Sequence, residues 1–198
     1  YLKIEKLISE CIEIFDGSHS LEVNFSCKIP LSEFSIDDYI KLIDDATSIY
    51  IVTPFCLGGL IAGIDEKTER IMWNYGIELG RLAQIRDDFL DYLNPEITEK
   101  VPFADLSEKR RRFPLLIAYK VGSKKEKQRI DEILQKEKIS LQDVYNVMEM
   151  ITSEKVASES RKIIDEIYKR ARKNLEQLPR IQPAYEYLEK ITELFAMK

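Results

Sequence analysis

The chain has 198 residues, 44% of them apolar and 33% charged, with only seven Gly and seven Pro. These proportions exclude collagen, low-complexity disorder and a small disulfide scaffold, and a chain of this length removes roughly 70% of its unfolded surface from water without covalent staples. Thirty basic against thirty-five acidic residues leave a formal charge of -5, so no general electrostatic attraction draws it to nucleic acid or an anionic membrane.

In chain order, Ile4, Leu7, Ile8, Cys11 and Phe15 recur at three- and four-residue spacings and predict a helix over residues 1–15, which opens without a capping residue. Asp16, Gly17 and Ser18 read as its stop, and Cys27 to Pro30 as irregular chain. A long second helix is expected over 36–62, with Ser35 as N-cap, Asp37 and Asp38 in its first turn and a kink at Pro54. The third, over 67–92, is apolar on more than one side and reads as a buried central helix. Gly76 and Gly80, one turn apart within it, each cost about 1 kcal/mol relative to Ala, which predicts close packing against a neighbour.

After Asn94 and Pro95 a polar loop is expected through Ser107, then a short apolar run over 113–121. Helical spacing returns over 124–136, 141–151, 153–178 and 181–197, with Ser140 as an N-cap. No alternating Val/Ile/Thr stretch suggests a sheet and no internal repeat is present, so the expected fold class is all-α, a single domain over 1–198. No apolar stretch reaches the roughly eighteen residues that a membrane span needs. Cys11, Cys27 and Cys56 are odd in number and too widely spaced for a CxxC pattern, so we take them as small core residues in a reducing, cytoplasmic setting.

Chemistry concentrates in Gln84-Ile85-Arg86-Asp87-Asp88-Phe89-Leu90-Asp91-Tyr92. On a helix, Asp87, Asp88 and Asp91 project over a shared sector. Two unit charges about 5 to 6 Å apart at an effective dielectric near 20 repel by roughly 3 kcal/mol. Such a string can mark a solvated helix end, but Leu79, Leu82, Ala83, Ile85, Phe89 and Leu90 frame this one. An all-oxygen cluster suits a hard ion such as Mg²⁺, which usually completes its shell with substrate phosphate oxygens, so the pattern points towards a diphosphate. The Lys109 to Arg112 run reads as a phosphate-binding or solvated loop rather than a nucleic-acid patch, because aromatic interleaving is lacking. The basic stretch over 169–173 reads as an exposed face with i,i+4 pairs, and His19 as a plain loop residue.

The run from Gly76 to Tyr92 resembles the G-x-x-x-G-x-x-x-Q-x-x-D-D-x-x-D second aspartate motif of the trans-isoprenyl diphosphate synthases, or polyprenyl synthetases. Ser18 to Glu22 is similar to the family's G-Q-x-x-D, Tyr39 to Ser48 to its Y-x-x-x-x-x-x-K-T, Glu99-Lys100 to its G-K, and Asp105 to Leu115 to its D-x-x-x-G-K-x-T-x-P-L. The resemblance implies an isoprenoid synthase helical bundle around a deep cavity, with two aspartate motifs facing each other across its mouth. It implies Mg²⁺-assisted ionisation of an allylic diphosphate and attack by isopentenyl diphosphate. By position, Asp87, Asp88 and Asp91 are the candidate catalytic and metal residues, with Asp87 and Asp91 holding a metal and Asp88 orienting or bridging it. Thr47 and Gln84 would contact substrate, and Lys100 and Arg110 would neutralise the diphosphate.

The departures are specific. Ala46 stands where the family has the lysine of K-T, Ala83 where a phenylalanine precedes the glutamine, and Arg110 and Arg112 where G-K-x-T has lysine and threonine. No other DDxxD exists in the chain, so the first motif and the helices before it are expected upstream of Tyr1. The leading expectation is a prenyltransferase of isoprenoid biosynthesis, acting as a homodimer or with a catalytic subunit. A non-catalytic diphosphate-binding homologue and a terpene cyclase stand as alternatives.

Overall fold

The computed structural model describes residues 2–93 and 103–197, with side chains described outside 18–28. Every regular element among them is helical, as expected: α1 Leu2–Lys28, α2 Ile36–Ile43, a π-helical turn Asp44–Ser48, α3 Ile49–Ile61, α4 Glu66–Leu93, α5 Ala104–Ser107, α6 Phe113–Val121, α7 Lys124–Gln135, α8 Leu141–Ile151, α9 Glu154–Leu175 and α10 Ala184–Phe195. No helix among the described residues is long and apolar enough to cross a membrane.

Three boundaries differ from the sequence expectation. Helix α1 does not stop at Asp16; it continues to Lys28, because Gly17 adopts no positive φ and so supplies no left-handed exit. The segment expected as one kinked helix over 36–62 is interrupted by the π-helical turn at 44–48, while α3 runs through Pro54. Within α3 the hydroxyl of Thr53 donates to the Ile49 carbonyl at 2.6 Å. The polar loop expected through Ser107 contains the one-turn α5, entered by Phe103 at φ 60. The capping expectations hold in the geometry. The Ser35 amide donates to Asp38 at 2.9 Å and the Asp38 amide to the Ser35 hydroxyl at 3.1 Å, and Ser140 forms the same reciprocal box with Asp143. Ser123 caps α7 likewise with Glu126, which the sequence reading missed.

The chain forms two compact units, Tyr1–Ser20 with Lys41–Arg86 and Ile164–Lys198, and Leu21–Ile40 with Asp87–Ile163. The core of the first gathers Leu7, Cys11, Ile49, Val52, Cys56, Met72, Tyr75, Leu79, Leu175, Leu178 and Tyr185. Cys11 and Cys56 are buried and free, as small core residues, and burial pushes the Cys56 thiol up to about 12; the side chains of Cys27 and His19 lie outside the described residues. The two glycines of α4 face backbone, as expected: a Cβ at Gly80 would lie 2.5 Å from the Cα of Ser48, and one at Gly76 3.0 Å from the Cα of Val52. The basic stretch near 170 is an exposed face at Lys169, Arg170 and Lys173, with an i,i+4 pair between Arg172 and Glu176, as expected; in addition Arg170 reaches Glu78 and Arg172 reaches Glu189.

In the second unit α6 is the centre. Phe113 to Ala118 are all buried, and α7 and α8 pack on it. Asp143 closes the turn between α7 and α8: its carboxylate accepts from Lys136 at 2.6 and 2.7 Å and from the Ser140 hydroxyl at 2.7 Å.

Gly80→Ala is expected to destabilise the chain by about 1 to 3 kcal/mol, because the new methyl meets backbone that must shift. Gly58→Ala, with open space around it, should instead stabilise by up to about 1 kcal/mol through helix propensity. Urea unfolding of the two variants reads the opposite signs. Lys136, and then Ser140, hold the Asp143 carboxyl down to about 2, below the ordinary value near 3.9. That contribution is present above pH about 4 and is lost as pH falls towards 2. Thermal midpoints of the parent and Asp143→Asn should therefore differ at neutral pH and converge at pH about 2.

Candidate functional site

Two clusters carry the candidate residues, one in each unit, and both draw on α4. In the first unit the hydroxyl of Thr47, on the π-helical turn, donates to Oε1 of Gln84 at 2.7 Å. The structure thus joins two side chains that the sequence placed 37 residues apart. The turn is pinned beside them: Arg81 grips Asp44 with two bonds, Nε to Oδ1 at 2.7 Å and Nη2 to Oδ2 at 2.6 Å, and Ser48 abuts Gly80. The sequence reading missed Arg81, although a cation on a helix apolar on several sides was the signal available.

In the second unit Asp88 is 0% exposed and Asp91 1%. The three carboxylates are therefore unequal: Asp88 and Asp91 are buried and Asp87 is half-buried. Asp88 Oδ2 accepts from the Tyr39 hydroxyl at 2.8 Å and from the Phe113 amide at 3.0 Å, so one carboxylate ties α2 and α6 to α4. Burial, and then the charge of Asp88, push the Tyr39 phenol well above its ordinary range, which keeps it a neutral donor. Burial, then Asp105, do the same for Tyr92. Phe113 stacks edge-on to Phe89 at 5.9 Å and tilts against Tyr39 at 5.7 Å, which closes an aromatic collar beside the carboxylate. In the first unit Phe55 packs on Tyr75 and Tyr50 on Phe15.

The basic run at 109–112 divides. Arg110, 37% exposed, pairs with Glu108 at 2.7 Å and lies 3.7 Å from Asp105. Arg111 is 7% exposed and donates to the carbonyls of Ile29 and Lys109, while Arg112 reaches Asp105 at 3.3 Å. Part of a run expected to be solvated or phosphate-facing thus holds the backbone, because a guanidinium has donors enough to satisfy carbonyls that no helix serves. Lys109 takes φ 59, a conformation that glycine adopts freely. Lys100 lies outside the described residues. Among the described residues no group of three or more His, Cys, Asp or Glu is gathered as a metal cage.

The family model described as Polyprenyl synthetase matches residues 2–151. A geranylfarnesyl diphosphate synthase of Natronomonas pharaonis is 28% identical over 109 residues, 54% of this chain and 31% of its own length. A geranylgeranyl pyrophosphate synthase of Geoglobus acetivorans is 27% identical over 119 residues, 60% of this chain and 36% of its own. The chain thus spans about a third of the length of these relatives. Among solved structures, a polyprenyl synthase from Caulobacter crescentus CB15, crystallised with calcium and isoprenyl diphosphate, shares the fold. Its TM-score is 0.89 at 20% identity, over 100% of this chain and 60% of that one.

Tyr39→Phe removes one donor from a fully buried carboxylate and is expected to cost about 1 to 3 kcal/mol. Asp88→Asn, which keeps an acceptor oxygen for both partners, should cost less. Urea unfolding monitored by circular dichroism orders the two; a Tyr39→Phe loss below that of Asp88→Asn would show that the buried bond is not what holds α2 to α4.

Proposed function

The chain belongs to the polyprenyl synthetase family, and we propose that it binds the diphosphates of a prenyl transfer, in which isopentenyl diphosphate condenses with an allylic diphosphate. The observation that carries this reading is the burial of Asp88 and Asp91 on α4, at 0% and 1% exposure. A solvated helix end would leave these carboxylates in water. Burying them costs several kcal/mol apiece unless partners or a cation offset the charge.

The donors fit Mg²⁺ by chemistry. They are hard carboxylate oxygens, and Mg²⁺ takes one or two carboxylates together with substrate phosphates rather than a cage built wholly from protein. Asp87 and Asp91, four residues apart on one helix, would hold the ion, with Asp88 fixed between them in sequence by Tyr39 and the Phe113 amide. An ion held there would supply positive charge against the diphosphate leaving group. Arg110 would add positive charge by exchanging Glu108 for a phosphate oxygen, and Lys100 would act on the same group. Thr47 and Gln84, joined by their hydrogen bond, would contact substrate. Apolar walls would exclude water, which otherwise captures the cation. The reading extends to a second copy or a catalytic subunit as partner and to the cytoplasm as compartment.

Saturating Mg²⁺ with an allylic diphosphate is expected to raise the thermal midpoint, because a ligand at 100 times its Kd stabilises by about 2.7 kcal/mol. Asp87→Asn and Asp91→Asn should each abolish the increase. A parent midpoint unmoved by the pair of ligands would sink the reading.

A further inference from the structure

The network around Arg81 has no part in the chemistry above, yet it joins four charged side chains of the first unit. Arg81 binds Asp44 through two atoms and donates from Nη1 to Glu78 at 2.9 Å. Glu78 also receives Arg170 at 2.7 and 3.1 Å. Signs alternate along Asp44, Arg81, Glu78 and Arg170, so the set is neutral overall. The side chains of Asp44, Glu78 and Arg81 are only 22%, 10% and 19% exposed.

Shielded ion pairs of this kind contribute little net stability, because desolvation offsets the Coulombic gain. What they supply is register, since a two-bond guanidinium–carboxylate fork tolerates one orientation. Here the fork holds the first residue of the π-helical turn, and π turns are rare, occurring mostly as single-turn bulges within α-helices. The same turn meets α4 at two further points, Ser48 against Gly80 and Thr47 on Gln84. Arg81 is the single charged clamp among these three contacts.

We infer that Arg81 is a positioning residue: its fork on Asp44 locks the π-helical turn in the register that sets the Thr47 hydroxyl on Gln84. The inference rests on the proposed reading for what Thr47 and Gln84 contact, but not for the lock itself. The lock acts on α4 and the 44–48 segment alone, and Glu78 with Arg170 holds the guanidinium from the far side. Arg81 reaches substrate only through Thr47 and Gln84.

Hydrogen exchange tests the lock without ligand. Arg81→Leu and Asp44→Asn should each speed amide exchange over residues 44–52 by about tenfold, with α10, in the same unit, unchanged. The expected midpoint change is small. Parental exchange over 44–52 in Asp44→Asn, the variant of unchanged shape, would overturn the lock even if Arg81→Leu failed to fold.

The increase in thermal midpoint with Mg²⁺ and an allylic diphosphate tests what the lock is for. Asp44→Asn should lower that increase by roughly half in the parent and leave it unaltered in the Thr47→Val background, because the clamp acts through Thr47. Equal losses in both backgrounds would assign Asp44 and Arg81 a merely structural role and overturn the inference. A parent that shows no increase overturns the proposed function, while exchange over 44–52 still decides the lock.

Discussion

A Cβ at Gly80 would stand 2.5 Å from the Cα of Ser48, and one at Gly76 3.0 Å from that of Val52, so two backbones touch at successive turns of α4. Each glycine forfeits about 1 kcal/mol of helix propensity. The close approach returns this in dispersion contacts, and it brings short side chains within reach of one another. Thr47 is two bonds long, and it meets Gln84 only because nothing larger than hydrogen separates Gly80 from Ser48. Placement of the polar pair is therefore a consequence of backbone packing rather than of side-chain length.

Close packing fixes separation but leaves rotation and sliding to be fixed by something directional. The apolar contacts of α3 with α4, Val52 and Ile49 among them, are tolerant of small slips, as hydrophobic packing generally is. Arg81 and Asp44 supply the direction at one end of the contact and the Thr47–Gln84 bond at the other. Both contacts fall within the π-helical turn, at its first and fourth residues. A turn held at both of these residues can accommodate an inserted residue, in keeping with a break at 44–48 rather than at Pro54.

Much of this was legible in the sequence. The Gly76 and Gly80 pair announced close packing, and the helical spacing of α4, α6 and α8 placed those elements. Ser35 and Ser140 announced their helix starts because capping is a local interaction between residues three apart. The π turn was not legible, since it depends on Asp44 meeting Arg81 across 37 residues. Nor was the continuation of α1 through Gly17, because a glycine is permissive and does not by itself end a helix. At the acidic cluster the sequence identified the carboxylates but not their inequality. Nothing local distinguishes Asp88 from Asp87; only the arrival of Tyr39 and the Phe113 amide does.

That inequality bears on how a run of carboxylates can be both stable and reactive. Three equivalent anions on one helix would repel in any fold, and the helix would pay that repulsion whenever no cation was bound. Tying Asp88 to a neutral phenol and a backbone amide gives one of the three a structural role as an acceptor. Under the proposed reading the ion-binding work then falls to Asp87 and Asp91, i and i+4 on α4, and two carboxylates match what a hydrated Mg²⁺ takes from protein when phosphates complete its shell. The middle aspartate contributes by holding the helix that carries its neighbours. Under that reading the string of three is a pair of ligands and an anchor.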